Sequence, residues 1–137
     1  MIVFNSEIDF NLKDSDELSK WILKSIGNEG FEVDEINFIF CSDEYLLEKN
    51  IKFLNHNTLT DIISFDYTLG KLISGDVFIS IERVLENAES FNVSFEDELH
   101  RVMIHGILHY CGYKDKSIEE KELIRSKEDY YLSLQKF

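Results

Sequence analysis

Apolar positions along the chain change their period several times, and each change marks an element. Two clusters, Ile2-Val3-Phe4 and Ile8-Asp9-Phe10, place a first strand, interrupted, within Met1–Phe10. Leu18, Trp21, Ile22, Ser25 and Ile26 then recur at helical spacing. Asp14 and Glu17 stand at capping-box distance before them, and Gly27 and Gly30 end the helix. The run Ile36-Asn37-Phe38-Ile39-Phe40, inside Val33–Cys41, is β-branched and aromatic and predicts a buried strand. Ser42-Asp43-Glu44 opens a second helix over Asp43–Phe53 that buries Leu46, Leu47 and Ile51.

A polar connector, Leu54-Asn55-His56-Asn57-Thr58, leads to two further strands, Thr60–Tyr67 and Asp76–Ile81. The short connection between them suits an antiparallel hairpin, since a parallel crossover needs more chain. A third helix covers Glu82–Ser90. Ser94 caps a fourth, whose early acids Glu96, Asp97 and Glu98 complement the helix dipole and face solvent. That helix carries Leu99, Val102, Met103, Ile107 and Leu108. Ser117 and Glu120 form a capping box for the last helix, with Leu123, Ile124, Lys127, Tyr131 and Leu134 near its apolar stripe. This order predicts an α+β fold, a small mixed four-stranded sheet packed with about five helices. The 137 residues suit a single domain, 1–137, with no linker or repeat.

Chemistry concentrates in His105-Gly106-Ile107-Leu108-His109-Tyr110-Cys111-Gly112-Tyr113-Lys114-Asp115. Histidines at i and i+4 share a helix face. Alone, such a pair is open to two readings, packing residues or ligands of one metal. Gly112 can end the helix in a left-handed conformation, so the chain can return and offer Asp115 as a third ligand. His105, His109 and Asp115 would leave a position for water, as catalytic zinc sites do. The spacing also resembles metzincin-type peptidases, yet Gly106 occupies the place of their glutamate base. His100 cannot share the face of His105 and is read as a surface residue, and His56 sits in the polar connector. Cys111 reads as a packing residue. Asp61, Asp66 and Asp76 could line a cleft from strand ends.

Composition narrows the class. No apolar run is long enough to span a membrane, and two cysteines make no disulfide framework, so a cytoplasmic protein is expected. The net charge of −13 argues against a generally basic nucleic-acid surface but leaves room for a basic patch in a cleft.

The metal-motif stretch resembles the signature of YbeY, a family of bacterial metal-dependent endoribonucleases of ribosomal RNA maturation, His-Gly-x-Leu-His-Leu-x-Gly-Tyr-Asp-His. Thr60-Asp61-Ile62-Ile63-Ser64-Phe65 and Gly75-Asp76-Val77-Phe78-Ile79-Ser80 are similar to two of its strands, and Glu119–Glu128 to its closing helix. Two departures stand out. Asp115 replaces the usual third histidine, and Leu54 falls at the usual loop arginine, with Lys52 the nearest cation. The resemblance implies one Zn2+ held by His105, His109 and Asp115, single-strand-type cleavage of RNA, and small-subunit ribosomal RNA or the ribosome as partner, with no DNA and no membrane. Asp76 and Ser64 are the candidates for a protein base. A peptidase, or a non-catalytic ribosome assembly factor with a structural metal, is the alternative.

Overall fold

The computed structural model describes residues 1–54 and 60–137, and His56 of the connector lies outside them. Among the described residues, four strands form one mixed sheet in the order β1-β2-β4-β3. β1 (Ile2–Ser6), β2 (Glu32–Cys41) and β4 (Leu72–Ser80) run parallel, while β3 (Ile62–Asp66) pairs antiparallel with β4. Alternation along β2 and β4 decides which residues face which layer. Ile36, Phe38 and Phe40 of β2 join Ile73, Val77 and Ile79 of β4 on the main core face. That face is covered by α1 (Ser15–Asn28), α4 (Phe95–Tyr110) and α5 (Ile118–Ser133). Leu18, Ile22, Phe38, Val77, Met103 and Leu108 are all fully buried there, and each such side chain contributes ~1.5–3 kcal/mol by leaving water.

The opposite face holds a small second cluster. Cys41, Leu46 and Ile63 pack with Tyr45, Phe65 and Phe78 beneath α2 (Asp43–Leu54). α3 (Ile81–Phe91) follows β4 without a loop, capped by Ser80, whose Oγ accepts from the Arg83 amide at 3.1 Å.

Four local expectations are corrected. Asp14 does precede α1, but in a left-handed conformation (φ 57°) its side chain makes no cap bond, and its carbonyl accepts from Leu18 N instead. The first strand stops at Ser6, because the chain bends and Ser6 Oγ donates to the Phe10 carbonyl at 3.1 Å. Phe10 then packs edge-on against Phe40 and Phe95. β4 starts at Leu72, which puts Asp76 in mid-strand and not at an end. On α2 the inward positions are Leu46 and Asn50, while Ile51 is 48 % exposed.

Candidate metal centre

α4 is the central helix, and its C-terminus builds the site. Cys111 ends it, and Gly112 follows at φ +97°, a conformation that glycine adopts without steric cost. The Gly112 amide bonds to His109 O at 3.0 Å and the Tyr113 amide to Leu108 O at 3.1 Å, the paired bonds of a Schellman turn. Tyr113 is then anchored, its hydroxyl donating to Glu29 Oε1 at 2.7 Å. Tyr131 Oη donates to the other oxygen of the same carboxylate, so Glu29 ties the end of α1 to the returning chain and to α5. The return carries Asp115 back over the histidine pair.

The three predicted ligands meet. His105 Nε2 and His109 Nε2 lie 3.0 Å apart, and Asp115 Oδ2 is 3.3 and 3.2 Å from them. Ligand atoms around a tetrahedral zinc with bonds of ~2.0–2.1 Å are separated by about 3.3–3.4 Å. The side chains are 25 %, 32 % and 42 % exposed, so the cluster faces outward on one side and can be reached.

The other ring nitrogens fix the tautomers. His109 Nδ1 lies 2.9 Å from the Tyr113 carbonyl, which can only accept, so Nδ1 carries the proton. His105 Nδ1 donates to Glu128 Oε2 at 2.6 Å. Both Nε2 atoms are therefore bare in the neutral rings, and two lone pairs and a carboxylate oxygen converge on one point with no hydrogen among them. Such a set repels itself unless a cation, a metal ion or a shared proton, sits within it. His-His-Asp is the group among the described residues that could hold a metal ion, and the donors fit one.

Sequence spacing missed Glu128. It is 3 % exposed and bonded by Arg101 Nη1 at 3.0 Å as well as by His105. Arg101 Nη2 in turn donates to Asp129 at 2.7 Å. A signal was present, because Glu128 interrupts the buried stripe Ile124-Glu128-Tyr131 of α5, and a carboxylate on such a stripe needs a partner. Burial works against a charged His105, yet the bond and charge of Glu128, with Asp115 and Asp61, outweigh it and raise the pKa of the imidazole.

A cavity of about 350 Å³ opens beside the cluster, lined by Asp61, Glu98, Arg101, His105, Asp115 and Glu128 among others. Burial raises the pKa of the Asp61 carboxyl within it, and that of Glu98, where the charge of Asp61 adds to the effect. Glu98 thus departs from the solvated role expected of the Glu96–Glu98 run, being 6 % exposed. Asp76 and Ser64 do not line this cavity. Asp76 accepts from Asn37 Nδ2 at 3.0 Å on the sheet face turned away from α4, and Ser64, itself exposed, is paired with Val77 on the other face. His100 is also corrected. It is 8 % exposed, with Gln135 Nε2 donating to its Nδ1 at 3.1 Å and Trp21 and Phe137 against its ring. Cys111 packs on the main core, where burial pushes its thiol up to about 12, outside the ligand group.

Gly106 faces the sheet and not the ligands, since a Cβ there would come 2.9 Å from Ile62 Cδ1. Glycine supplies no carboxylate here, so the glutamate base of the peptidase type is absent.

A mixed α+β domain with an outward-facing three-ligand cluster at the end of a buried central helix defines a metal-binding hydrolase class of site. Residues 3–136 match the family model of endoribonuclease YbeY, and the chain belongs to that family. It is 58 % identical to endoribonuclease YbeY of Flavobacterium johnsoniae and 59 % identical to that of Flavobacterium psychrophilum, each over 98 % of this chain and 96 % of the relative. The Cytophaga hutchinsonii endoribonuclease YbeY is 48 % identical over 98 % of this chain and 94 % of its own length. The solution structure of TM1509 from Thermotoga maritima superposes with a TM-score of 0.69 at 28 % identity, covering 97 % of this chain and 87 % of that one.

Proposed function

We propose that residues 1–137 act as one zinc-dependent endoribonuclease domain that cuts single-stranded RNA during ribosomal RNA maturation in the cytoplasm. The endonuclease activity is that of the family. One observation carries the metal assignment, the convergence of His105 Nε2, His109 Nε2 and Asp115 Oδ2 within 3.0–3.3 Å while both Nδ1 atoms are engaged elsewhere. A divalent ion bound there supplies Lewis-acid polarisation of a phosphodiester and lowers the pKa of water.

The chain's own residues do the rest. Glu128 and the Tyr113 carbonyl hold the two imidazoles in the ligating tautomer and orientation. Asp115 takes the place of the usual third histidine, and its negative charge makes the centre less electrophilic than three neutral ligands would. Asp61 lines the cavity beside His105, where burial raises its pKa, and is the carboxyl placed to exchange a proton with a reacting group there, whereas Asp76 and Ser64, the bases that sequence reading named, lie outside that lining. The peptidase reading lacks its base at Gly106, and family membership does not favour it or the non-catalytic assembly role.

The test is elemental analysis of protein purified without added metal, together with cleavage of a labelled single-stranded RNA. The expected result is about one zinc per chain, much reduced in Asp115→Ala, with no cleavage by His109→Ala. Asp61→Asn should keep its zinc and lose roughly 10²-fold or more in kcat. Iron in place of zinc would overturn the metal assignment, since two histidines and a carboxylate also suit Fe(II). Cleavage that survives in His109→Ala would overturn the site.

A further inference from the structure

The cavity beside the ligand cluster does not stop there. A second cavity of about 380 Å³ shares Phe91, Glu98, Arg101 and Arg125 with it, so the two form one groove between the α3–α4 side and α5. Phe91 is the last residue of α3, lines both halves, and is 60 % exposed. The backbone after it is held by the helix-ending turn. Asn92 closes the helix at φ 57°, with its amide on Glu89 O at 3.2 Å and the Val93 amide on Ala88 O at 3.0 Å. The main chain that carries this exposed ring is thus fixed at the edge of a groove that leads to the candidate metal ligands.

Cations gather among the acids at one part of the groove. The chain carries −13, yet Arg101, Lys121 and Arg125 all line the half beside His105. Arg101 is committed to Glu128 and Asp129. Arg125 is 61 % exposed and only 3.6 Å from Glu128, and Lys121, one turn before it on the same face of α5, makes no ion pair among the described residues. Three of the groove's acids are engaged: Glu128 is bonded to Arg101 and His105, Asp129 is paired with Arg101, and Asp115 belongs to the ligand group, while Asp61, Asp97 and Glu98 line the groove as well.

Resting on the endoribonuclease reading, we propose that this groove is a single-strand track, in which Phe91 stacks on an unpaired base while Lys121 and Arg125 hold backbone phosphates that lead to the metal centre. An exposed ring flanked by cations is how sequence-tolerant single-strand sites are built, since every base offers a π-face. A duplex keeps those faces covered, so the ring selects unpaired RNA.

The probe is a fluorescein-labelled RNA of about ten nucleotides with phosphorothioate linkages, offered single-stranded and as a duplex to the zinc-loaded full chain. Phe91→Ala should weaken single-strand binding about tenfold or more, with zinc content and thermal unfolding unchanged because the ring is exposed. Phe91→Trp should restore binding, and its emission should be quenched as RNA is added. Replacing Lys121 and Arg125 together by alanine should reduce the slope of log K against log salt by roughly 1.4. Phe91→Ala that binds as tightly as wild type, or a wild type that prefers the duplex, overturns the track while leaving the nuclease reading in place. A wild type that binds neither RNA overturns both.

Discussion

A histidine ligates a metal through whichever ring nitrogen the other one leaves bare, so the acceptors behind His105 and His109 matter as much as the ligands. For His109 that acceptor is a main-chain carbonyl supplied by the helix-ending turn, which no side-chain substitution removes. For His105 it is Glu128, from another helix. Glu128→Gln keeps an acceptor oxygen for Nδ1 but loses the charge. It should weaken zinc affinity toward the lower end of the roughly 10–100-fold range typical of such partners, and Glu128→Ala toward the upper end. Competition with a fluorescent chelator measures both, and equal affinities in all three proteins would show that Glu128 serves only to pair Arg101. The convergence of His105, His109 and Asp115 was legible in the sequence because it is local. Histidines four apart and a glycine-led return are written within eleven consecutive residues. Glu128 was not legible from spacing, because its pairing is set by how α5 lies on α4, and only its odd place on an apolar stripe hinted at it. Asp76 and Ser64 were named as bases from their positions near presumed strand ends; Asp76 falls in mid-strand on the face away from α4, and Ser64, paired with Val77, lies outside the cavity lining.

At the scale of elements, the site depends on how closely α4 approaches the sheet. Tyr110, at the end of that helix, shares its hydroxyl between the Phe65 carbonyl (3.1 Å) and the Asp76 carbonyl (3.2 Å), spanning β3 and β4. Gly75 makes this possible. A Cβ there would fall on the Tyr110 hydroxyl and within 2.5 Å of the Phe65 carbonyl oxygen, and backbone cannot step aside. Gly75→Ala should therefore destabilise by about 1–3 kcal/mol, as overpacking does. At Gly106 the clash is with the end of the flexible Ile62 chain, and a gain in helix propensity of up to about 1 kcal/mol offsets it. Urea denaturation of the two alanine variants should rank Gly75→Ala well below Gly106→Ala, and the reverse order would mean that α4 is held by something other than this contact. Helix starts at Ser94 and Ser117 were legible because caps are local chemistry, and both serines accept the expected amide. Asp14 was misread because capping needs an extended N-cap residue, and its left-handed backbone withholds the side chain. The sheet's order, β1-β2-β4-β3, was beyond reach of periodicity, which sets faces and not neighbours.

For the molecule as a whole, the closing residues determine a pH response that the sequence hid. A helical wheel separates His100 from His105, but it cannot show that Trp21 and Phe137 come from distant parts of the chain to cover the ring. Burial lowers the pKa of His100, outweighing the Gln135 bond and the charges of Asp97, Glu96 and Asp14, which push it up. Its Nδ1 must stay bare to accept from Gln135. Above the ordinary imidazole value of about 6.5 the residue is neutral folded and unfolded, and pH leaves its contribution unchanged. Below that value the unfolded chain takes up a proton that the folded chain refuses. Stability then falls with pH, down to the lowered folded value, by at most about 1.4 kcal/mol per unit. The raised pKa of His105 acts in the opposite sense in metal-free protein, stabilising at low pH and fading as pH rises through the raised value. It is common to wild type and to His100→Asn, so it cancels between them. His100→Asn keeps an acceptor for Gln135 and loses the rings' packing, so at pH 7.5 it should be less stable than wild type by about 1 kcal/mol. Between about pH 6.5 and 5.5 that deficit should shrink, because only the wild type carries the proton penalty. Urea titrations at both ends of the range decide it, and a deficit that stays constant would mean that His100 is charged without cost where it lies.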